Sequence, residues 1–480
     1  MPVVFDNANL ITVLPEIAIL ALASTVLIVD LYLKDGQKGA NHVITLIGLL
    51  VAIGLTGATG GGERQLAFDA SYVRDAMSDV LKVLILVVSL FAFVYAKDWL
   101  RDRELLNGEY HVLGLFAVLG MMIMLSANSL LTLYLGLELL ALCLYAMVAF
   151  ERDSKGGAEA AMKYFVLGAL GSGMLLYGMS MIYGATGSIE LGDIAKAVSA
   201  QGMDDKVLVF GISFLVIGIG FKFGAVPFHM WVPDVYQGAP TPVALFLGSV
   251  PKIAAFALAI RLLVDGLGGL HAHWQGMLII LAILSLGLGN VVAIAQSNIK
   301  RMLAYSTISH VGFIFLGLLA GTPQGYAAAM FYAIVYAVMA AGGFGVLLLL
   351  SRKGFDAENL EDLKGLNDRD SWYAAMMALI MFSMAGVPPT VGFIAKLLVL
   401  EAVVRVDLWW LAIVGVFFSI IGAFYYLRIV KLMYFDKPVT DEPLAAGAGV
   451  RVALSVNGLA MLALGIFPAA LLSVCQAAFA

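Results

Sequence analysis

Runs of about twenty apolar residues follow one another along nearly the whole of this sequence, and that pattern leaves few folds open, because a helix needs such a length to cross a bilayer. Roughly 14 runs can be read: residues 10–33, 41–59, 76–96, 112–127, 129–150, 161–184, 207–236, 241–264, 275–297, 301–320, 324–350, 373–400, 408–434 and 450–474. With 62% hydrophobic and 13% charged residues and a mean hydropathy of +0.96, the 480-residue chain lies outside the composition of soluble domains. The expectation is an all-α polytopic membrane protein. Met1 to Leu10 lack the basic stretch of a signal peptide, so the first run is expected to stay as a span.

The formal net charge of −5 offers no basic face to nucleic acid or anionic lipid. Cys143 and Cys475 are the two cysteines and lie far apart in or beside apolar runs, so neither a disulfide framework, a zinc site nor an iron-sulfur cluster can be built from them. No redox centre is expected in the chain. The longest loop, Ser351 to Trp372, is too short to fold as a domain, and residues 188–205 alternate at helical spacing, as a short surface helix would.

Lysine and arginine resist translocation, so their placement orients the spans. Loops after odd-numbered runs carry Lys34, Lys38, Lys97, Arg101, Arg103, Arg152, Lys155, Lys300, Arg301, Arg352, Lys353, Lys364, Arg369, Lys431, Lys437 and Arg451; those after even-numbered runs carry only Arg64, Arg74, Lys196, Lys206, Arg261 and Arg405. This places both termini on the non-cytoplasmic side, which in a bacterial inner membrane, the simplest setting, is the periplasm.

Two runs contain prolines that a straight helix rejects. They read GIGFKFGAVPFHMWVPDVY, Gly218 to Tyr236, and FSMAGVPPTVGFIAKLLVLEAV, Phe382 to Val403. Each has a Val-Pro step with a glycine just upstream and a lysine nearby. Proline removes a backbone donor and frees a carbonyl about a turn earlier, so both helices should break inside the membrane. Such breaks survive only where they face protein or water, and their recurrence in two halves is the mark of an inverted-repeat transporter. The lysines are out of register, however: Lys222 precedes its proline, Pro227, whereas Lys396 follows Pro388.

Charged residues deep in apolar runs are costly and are seldom kept without use. Glu138 is too short to reach water from its place in LLTLYLGLELLALCLYAMVAF and should face protein or trapped water. Lys222 is its natural partner. Lys252 follows Pro251 midway along its run, and Lys396 sits nearer an end, where snorkelling competes with a buried role. Each lysine can also be read as a salt-bridge staple. Glu401 reads as a boundary residue, Lys163 as either relay or interface anchor, and His229 as a core residue. His310 follows Tyr305, Ser306, Thr307 and Ser309, hydroxyls suited to a water-bearing path, so relay and core readings are balanced for it. No nucleophile elbow, phosphate loop or dinucleotide fingerprint is present, and the histidines lack the neighbours a metal site needs. A proton path is what remains.

Three segments carry a resemblance: GFKFGAVPFHMWVPDVYQGAPTPVALFLGSVPKIAAF, Gly220 to Phe256; NIKRMLAYSTISHVGF, Asn298 to Phe313; and SMAGVPPTVGFIAK, Ser383 to Lys396. They resemble the antiporter-like membrane subunits of respiratory complex I, the proton-translocating NADH:quinone oxidoreductase. The N-type members are the most similar: the PDVYQGAPTPV loop matches, the chain ends soon after its last span, and Lys396 stands where the M type has glutamate. The resemblance covers nearly the whole chain. It implies two inverted-topology five-helix repeats, each with a broken helix, at residues 112–264 and 275–434, after an N-terminal three-helix segment, 1–111, and before a C-terminal helix, 435–480. It also implies that Glu138, Lys222, Lys252 and Lys396 form the proton relay, with Lys163 and His310 as secondary members. Gln237 departs from the acidic residue common at its place. NAD, FMN, iron-sulfur clusters and quinone would then reside in other subunits, with none bound here, and the partners would be neighbouring antiporter-like and small membrane-arm subunits within the phospholipid bilayer.

The function expected is proton translocation coupled to electron transfer elsewhere in the complex, through the chain of buried Glu and Lys residues. A subunit of a multi-component sodium/proton antiporter shares the motifs. A stand-alone solute symporter would need a substrate-sized polar pocket, and a structural scaffold would leave the buried lysines unexplained.

Overall fold

The computed structural model describes residues 7–201, 206–439, 444 and 446–480. Most of Met1 to Leu10, the last four residues of the 188–205 segment and residues 440–443 and 445 of the C-terminal segment lie outside the described residues. Backbone groups without water must bond internally, and the apolar runs meet that demand as helices. In chain order these are α1 (Asn7–Thr12), α2 (Leu14–Asp30), α3 (Gly39–Thr59), α4 (Ala76–Asp102), α5 (Gly108–Leu125), α6 (Leu130–Val148), α7 (Lys155–Thr186), α8 (Leu191–Gln201), α9 (Lys206–Phe223), α10 (Trp231–Gly238), α11 (Thr241–Ala259), α12 (His271–Ile294), α13 (Ile299–Leu319), α14 (Pro323–Leu350), α15 (Leu366–Arg369), α16 (Ser371–Ala385), α17 (Val391–Arg405), α18 (Trp409–Phe435), α19 (Ala448–Ile466) and α20 (Ala469–Ala477). A short antiparallel hairpin, β1 (Gln65–Ala67) and β2 (Tyr72–Arg74), pairs Leu66 with Val73 between α3 and α4.

Among the described residues, 12 helices are long and apolar enough to cross a membrane unaided. Two of the apolar runs fall short of that length for physical reasons. The first yields the 17-residue α2, and the twelfth is divided into α16 and α17 by the proline break. The seventh run likewise ends as α9 and restarts as α10, so the reading of 207–236 and 373–400 as single runs gives way to two broken helices at the places the prolines mark. The surface segment forms α8.

Helix starts follow their capping residues. The Asp75 carboxylate accepts from Ser78 N–H at the head of α4, Ser154 accepts from Gly157 N–H before α7, and Asn298 accepts from Arg301 N–H before α13. The centre of the bundle is α11 with its π-helical extension Ile260–Gly266, α13 and α14; 94% of the most apolar window of each is buried inside the chain. Close approach around this centre uses small residues, as in other membrane bundles. A Cβ on Gly289 of α12 would lie 2.7 Å from Ser309 N on α13.

Candidate functional site

Both broken helices end in the same way. At the end of α9, Gly224 adopts φ +77°, Ala225 N–H donates to Gly220 O at 2.8 Å and Gly224 N–H donates to Phe221 O at 3.0 Å. At the end of α16, Gly386 adopts φ +86°, Val387 N–H donates to Phe382 O at 2.9 Å and Gly386 N–H donates to Ser383 O at 3.0 Å. Each is a Schellman turn, which only glycine makes without strain, and each leaves the final carbonyl of its helix pointing into the protein without a backbone donor.

A lysine ammonium occupies each of those carbonyls. Lys252, on α11, donates to Phe223 O at 2.8 Å. Lys396, on α17, donates to Ala385 O at 2.8 Å and to Ser419 Oγ at 2.9 Å. The cation therefore sits at the negative end of a helix dipole, which lowers the cost of holding charge at that depth. An aromatic face supports each ammonium as well: Trp231 lies 5.5 Å from Lys252 Nζ and Phe313 5.0 Å from Lys396 Nζ. The register mismatch read between Lys222 and Lys396 is thereby resolved. Lys252, not Lys222, occupies the place that Lys396 occupies at the second break, and the correspondence is carried by the carbonyl rather than by distance from proline. Snorkelling is not what Lys396 does; it is buried, at 8% exposure.

Lys222 stands in the last turn of α9 and donates to Ser172 Oγ on α7 at 2.9 Å. It shares with Lys252 a cavity of about 30 Å³, whose walls include Tyr164, Trp231, Leu140 and Leu247, room enough for a water molecule between polar partners. The expected ion pair with Glu138 is not formed: no contact within 4.0 Å joins them, although the carboxylate is near enough for its charge to act on Lys222. Glu138 is half-buried on the stripe of α6 that exposes Leu131, Leu135 and Leu142, and its Oε1 is buried without a hydrogen-bond partner. It thus faces the rim of this chain rather than the middle of the bundle, because the helical repeat places it between Leu135 and Leu142.

His310 is buried on α13, with Nδ1 2.8 Å from Tyr332 Oη and Nε2 3.1 Å from Tyr426 Oη. Lys396 is near enough for its charge to act on the imidazole. The neighbouring hydroxyls do not line an open watery path; they are engaged by side chains, Ser306 by Tyr426, Thr307 by Tyr336 and Ser309 by Asn290. His229 lies in the first break, half-buried, with Nδ1 unpartnered.

Lys163 is at the surface, paired with Glu159 at 2.9 Å and Asp234 at 2.8 Å. Arg301 completes that cluster, 2.7 Å from Asp234 and donating to Gln237 at 3.1 Å, beside an open cavity of about 400 Å³. Glu401 is exposed and paired with Arg405. These side chains are outside the line of buried lysines.

Other buried ionic groups escaped the sequence reading. Lys82 on α4 pairs with Glu16 on α2 at 2.7 Å, and Tyr72 Oη bridges them, 2.8 Å from each. Lys82 stands alone in the apolar stretch VLKVLILVV, a signal equal to that of Lys252. Lys300 on α13 donates to Ala239 O, just past the end of α10, at 3.0 Å and pairs with Glu358 at 2.7 Å. Among the described residues no three His, Cys, Asp or Glu side chains are grouped to hold a metal ion.

Comparison with known proteins decides the family. The family described as NADH:quinone oxidoreductase/Mrp antiporter, TM, matches at residues 127–422, which contain both breaks and all the buried lysines flanking them. The chain belongs to this family. It is 57% identical over 475 residues to NADH-quinone oxidoreductase subunit N of Thioalkalivibrio sulfidiphilus (strain HL-EbGR7), covering 99% of each chain. It is 58% identical over 463 residues to the subunit N of Thiobacillus denitrificans (strain ATCC 25259 / T1), covering 96% of each. Among solved structures, a chain of respiratory complex I from Thermus thermophilus superposes with a TM-score of 0.83 at 32% identity, over 96% of this chain and 98% of that one. A chain of the Mrp complex from Dietzia sp. DQ12-45-1b shares the fold, with a TM-score of 0.81 at 18% identity over 98% of this chain and 96% of that one. The expectation of an antiporter-like, all-helical membrane subunit is thus met.

Proposed function

We infer that the chain is the proton-translocating membrane-arm subunit of an NADH:quinone oxidoreductase, and that Glu138, Lys222, Lys252 and Lys396 carry the proton, with His310 taking part near Lys396. The observation that carries the reading is the pair of lysine ammoniums seated on the terminal carbonyls of two broken helices. A charge-assisted hydrogen bond contributes about 1.5–3 kcal/mol, and moving one charge through 100 mV costs about 2.3 kcal/mol. Making or breaking one ammonium–carbonyl contact is therefore enough to hold or release a proton against a working membrane potential. In this scheme Lys222, held by Ser172, exchanges a proton with Lys252 through the cavity they share, and Lys396 acts as the gate at the second break. Glu138, on the rim, faces a neighbouring membrane-arm subunit, since an unpartnered carboxylate cannot rest against lipid cheaply. Lys163, beside the open surface cavity, anchors that face rather than relaying.

The two breaks also support a division into two inverted units, residues 112–264 and 275–434, flanked by the 1–111 and 435–480 segments. The distribution of basic residues supports an inner-membrane orientation with both termini on the periplasmic side. A sodium/proton antiporter subunit has the same fold, and the relatives at 57–58% identity favour the oxidoreductase. The test is proton yield per NADH oxidised by the assembled complex in sealed membrane vesicles. Lys252→Met and Lys396→Met are each expected to cut it by about tenfold or more, the range of a lost positioned proton-transfer group. Wild-type yield in both would end the reading.

A further inference from the structure

Both ring nitrogens of His310 are engaged, and both by tyrosines. Nδ1 meets Tyr332 Oη of α14 and Nε2 meets Tyr426 Oη of α18, and the Tyr426 hydroxyl is in turn bonded to Ser306 of α13. Tyr332, Tyr426, Ser306 and His310 are all at least 98% buried. A neutral imidazole offers one N–H and one bare nitrogen, so in this setting it must accept from one tyrosine and donate to the other. Any buried imidazole needs a partner on each nitrogen, and packing alone would be served by partners that pass no proton, such as a backbone N–H and a carbonyl. The arrangement is instead a hydrogen-bonded row, Tyr332, His310, Tyr426, Ser306, in which each member can receive a proton on one side and give one up on the other. Tyr332 also stacks on Phe313, with ring centroids 5.8 Å apart, and Phe313 is the ring beneath the Lys396 ammonium. The row therefore starts beside the lysine of the second break.

We propose that Tyr332 and Tyr426 are relay residues, the groups that hand the proton to His310 and take it away. The assignment rests on the reading of the lysine line as a proton route. In one direction, an incoming proton forms a new O–H bond on Tyr332 as the old O–H breaks toward Nδ1, giving an imidazolium. The Nε2–H bond then breaks toward Tyr426 Oη as that group's own O–H breaks toward Ser306 Oγ, and the Ser306 O–H breaks in the same step toward a water molecule, which carries the proton away. One proton enters and one leaves, no electron pair is lost, and His310 is left as its other tautomer. The reverse sequence balances in the same way. Because the tautomer has changed, the imidazole must turn or pass a proton back before the row conducts again, so each passage is a single event rather than a continuous leak.

Tyr332→Phe and Tyr426→Phe remove only the hydroxyls and leave the buried rings. Each is expected to leave the complex assembled, as judged by co-purification of its subunits, while lowering the rate of proton translocation about tenfold or more and reducing the slowing of translocation by deuterium oxide. Tyr336→Phe is the control: its ring centroid lies 5.0 Å from that of His310, but its hydroxyl donates to Thr307, and it should translocate as wild type. Wild-type rates and isotope effects in assembled Tyr332→Phe or Tyr426→Phe complexes overturn the assignment. If Lys252→Met and Lys396→Met stop translocation in the same preparations, only the relay is refuted; if they too are silent, the proton route itself is wrong.

Discussion

The two breaks reach one electrostatic solution by different chain paths. At the first, the ammonium comes from a separate helix: Lys252 of α11 reaches across to the end of α9. At the second, it comes from the continuation of the same span: Lys396 of α17 folds back on the end of α16. What recurs is a glycine-closed helix end with a free carbonyl, and the cation is supplied from whichever neighbour is within reach. The anchoring differs too. The far end of the Lys252 helix is clamped by Arg261, which is buried, pairs with Asp75 and Asp265 at 2.8 Å each, and donates to Leu125 O. The far end of α17 carries only the exposed Arg405–Glu401 pair. One lysine is on a helix whose end is held by a buried ionic clamp and the other on a half-helix whose far end has an exposed ion pair, a difference that favours the second break as the gate.

The clamp gives the largest test of that contrast. Asp75→Asn removes one of the two carboxylates paired with the buried Arg261 and should cost about 3 kcal/mol at most, since Asp265 remains, seen as a lower unfolding temperature of the purified complex and weaker coupling. Acid should act on the same contact. Burial works to raise the Asp75 carboxyl, but the Arg261 guanidinium and the bonds from it and Ser78 outweigh this and hold it below its ordinary 3.8. Its contribution is full above the ordinary value and is lost as pH falls through the depressed one, so the wild type should lose stability in that acid range and Asp75→Asn should not. An equal acid loss in both would remove the clamp from the comparison.

Next come the serines. Among the described residues Ser172 Oγ is the hydrogen-bond partner of Lys222, whereas Lys396 keeps Ala385 O if Ser419 is lost. Ser172→Ala should therefore cost about 1.5–3 kcal/mol and depress proton yield, with Ser419→Ala costing less; the reverse order would break the equivalence drawn between the two sites. The glycines follow, at about 1–2 kcal/mol each for placing a side chain in the left-handed region. Gly224→Ala would also press on Val232 Cγ2, 2.4 Å away, but Gly386→Ala on Lys396 Cδ, 2.8 Å away. Only the second should alter translocation beyond its effect on stability. Smallest is Glu401→Gln, at about 0.3–0.5 kcal/mol for an exposed i,i+4 pair, which should leave proton yield unchanged.

The spans, the breaks and the buried lysines were legible because each has a local signature: length of apolar run, proline inside it, charge inside it. The glycine before each Val-Pro step was visible as well, and its left-handed conformation is what sets the free carbonyl. What could not be read was which lysine would find which carbonyl, since Lys252 and Phe223 belong to different helices. The same holds for Ser172 and Ser419, ordinary serines until a neighbouring helix makes them partners of an ammonium. The depth of Glu138 in its run says only that it faces protein or trapped water; depth says nothing of azimuth, and the exposed leucines on its stripe become visible only in the packed chain. Lys82 carries the same local signal as Lys252, a charge inside an apolar run, but its pairing with Glu16 of another helix is invisible before the chain is packed.

The Glu16–Lys82 contact has a bearing on how the protein is made. Glu16 lies on α2, and its countercharge on α4 is synthesised only after the intervening α3. Until then a carboxylate sits in α2 with nothing to answer it, so that helix should linger at the insertion machinery and settle into the bilayer only when α4 arrives to neutralise it.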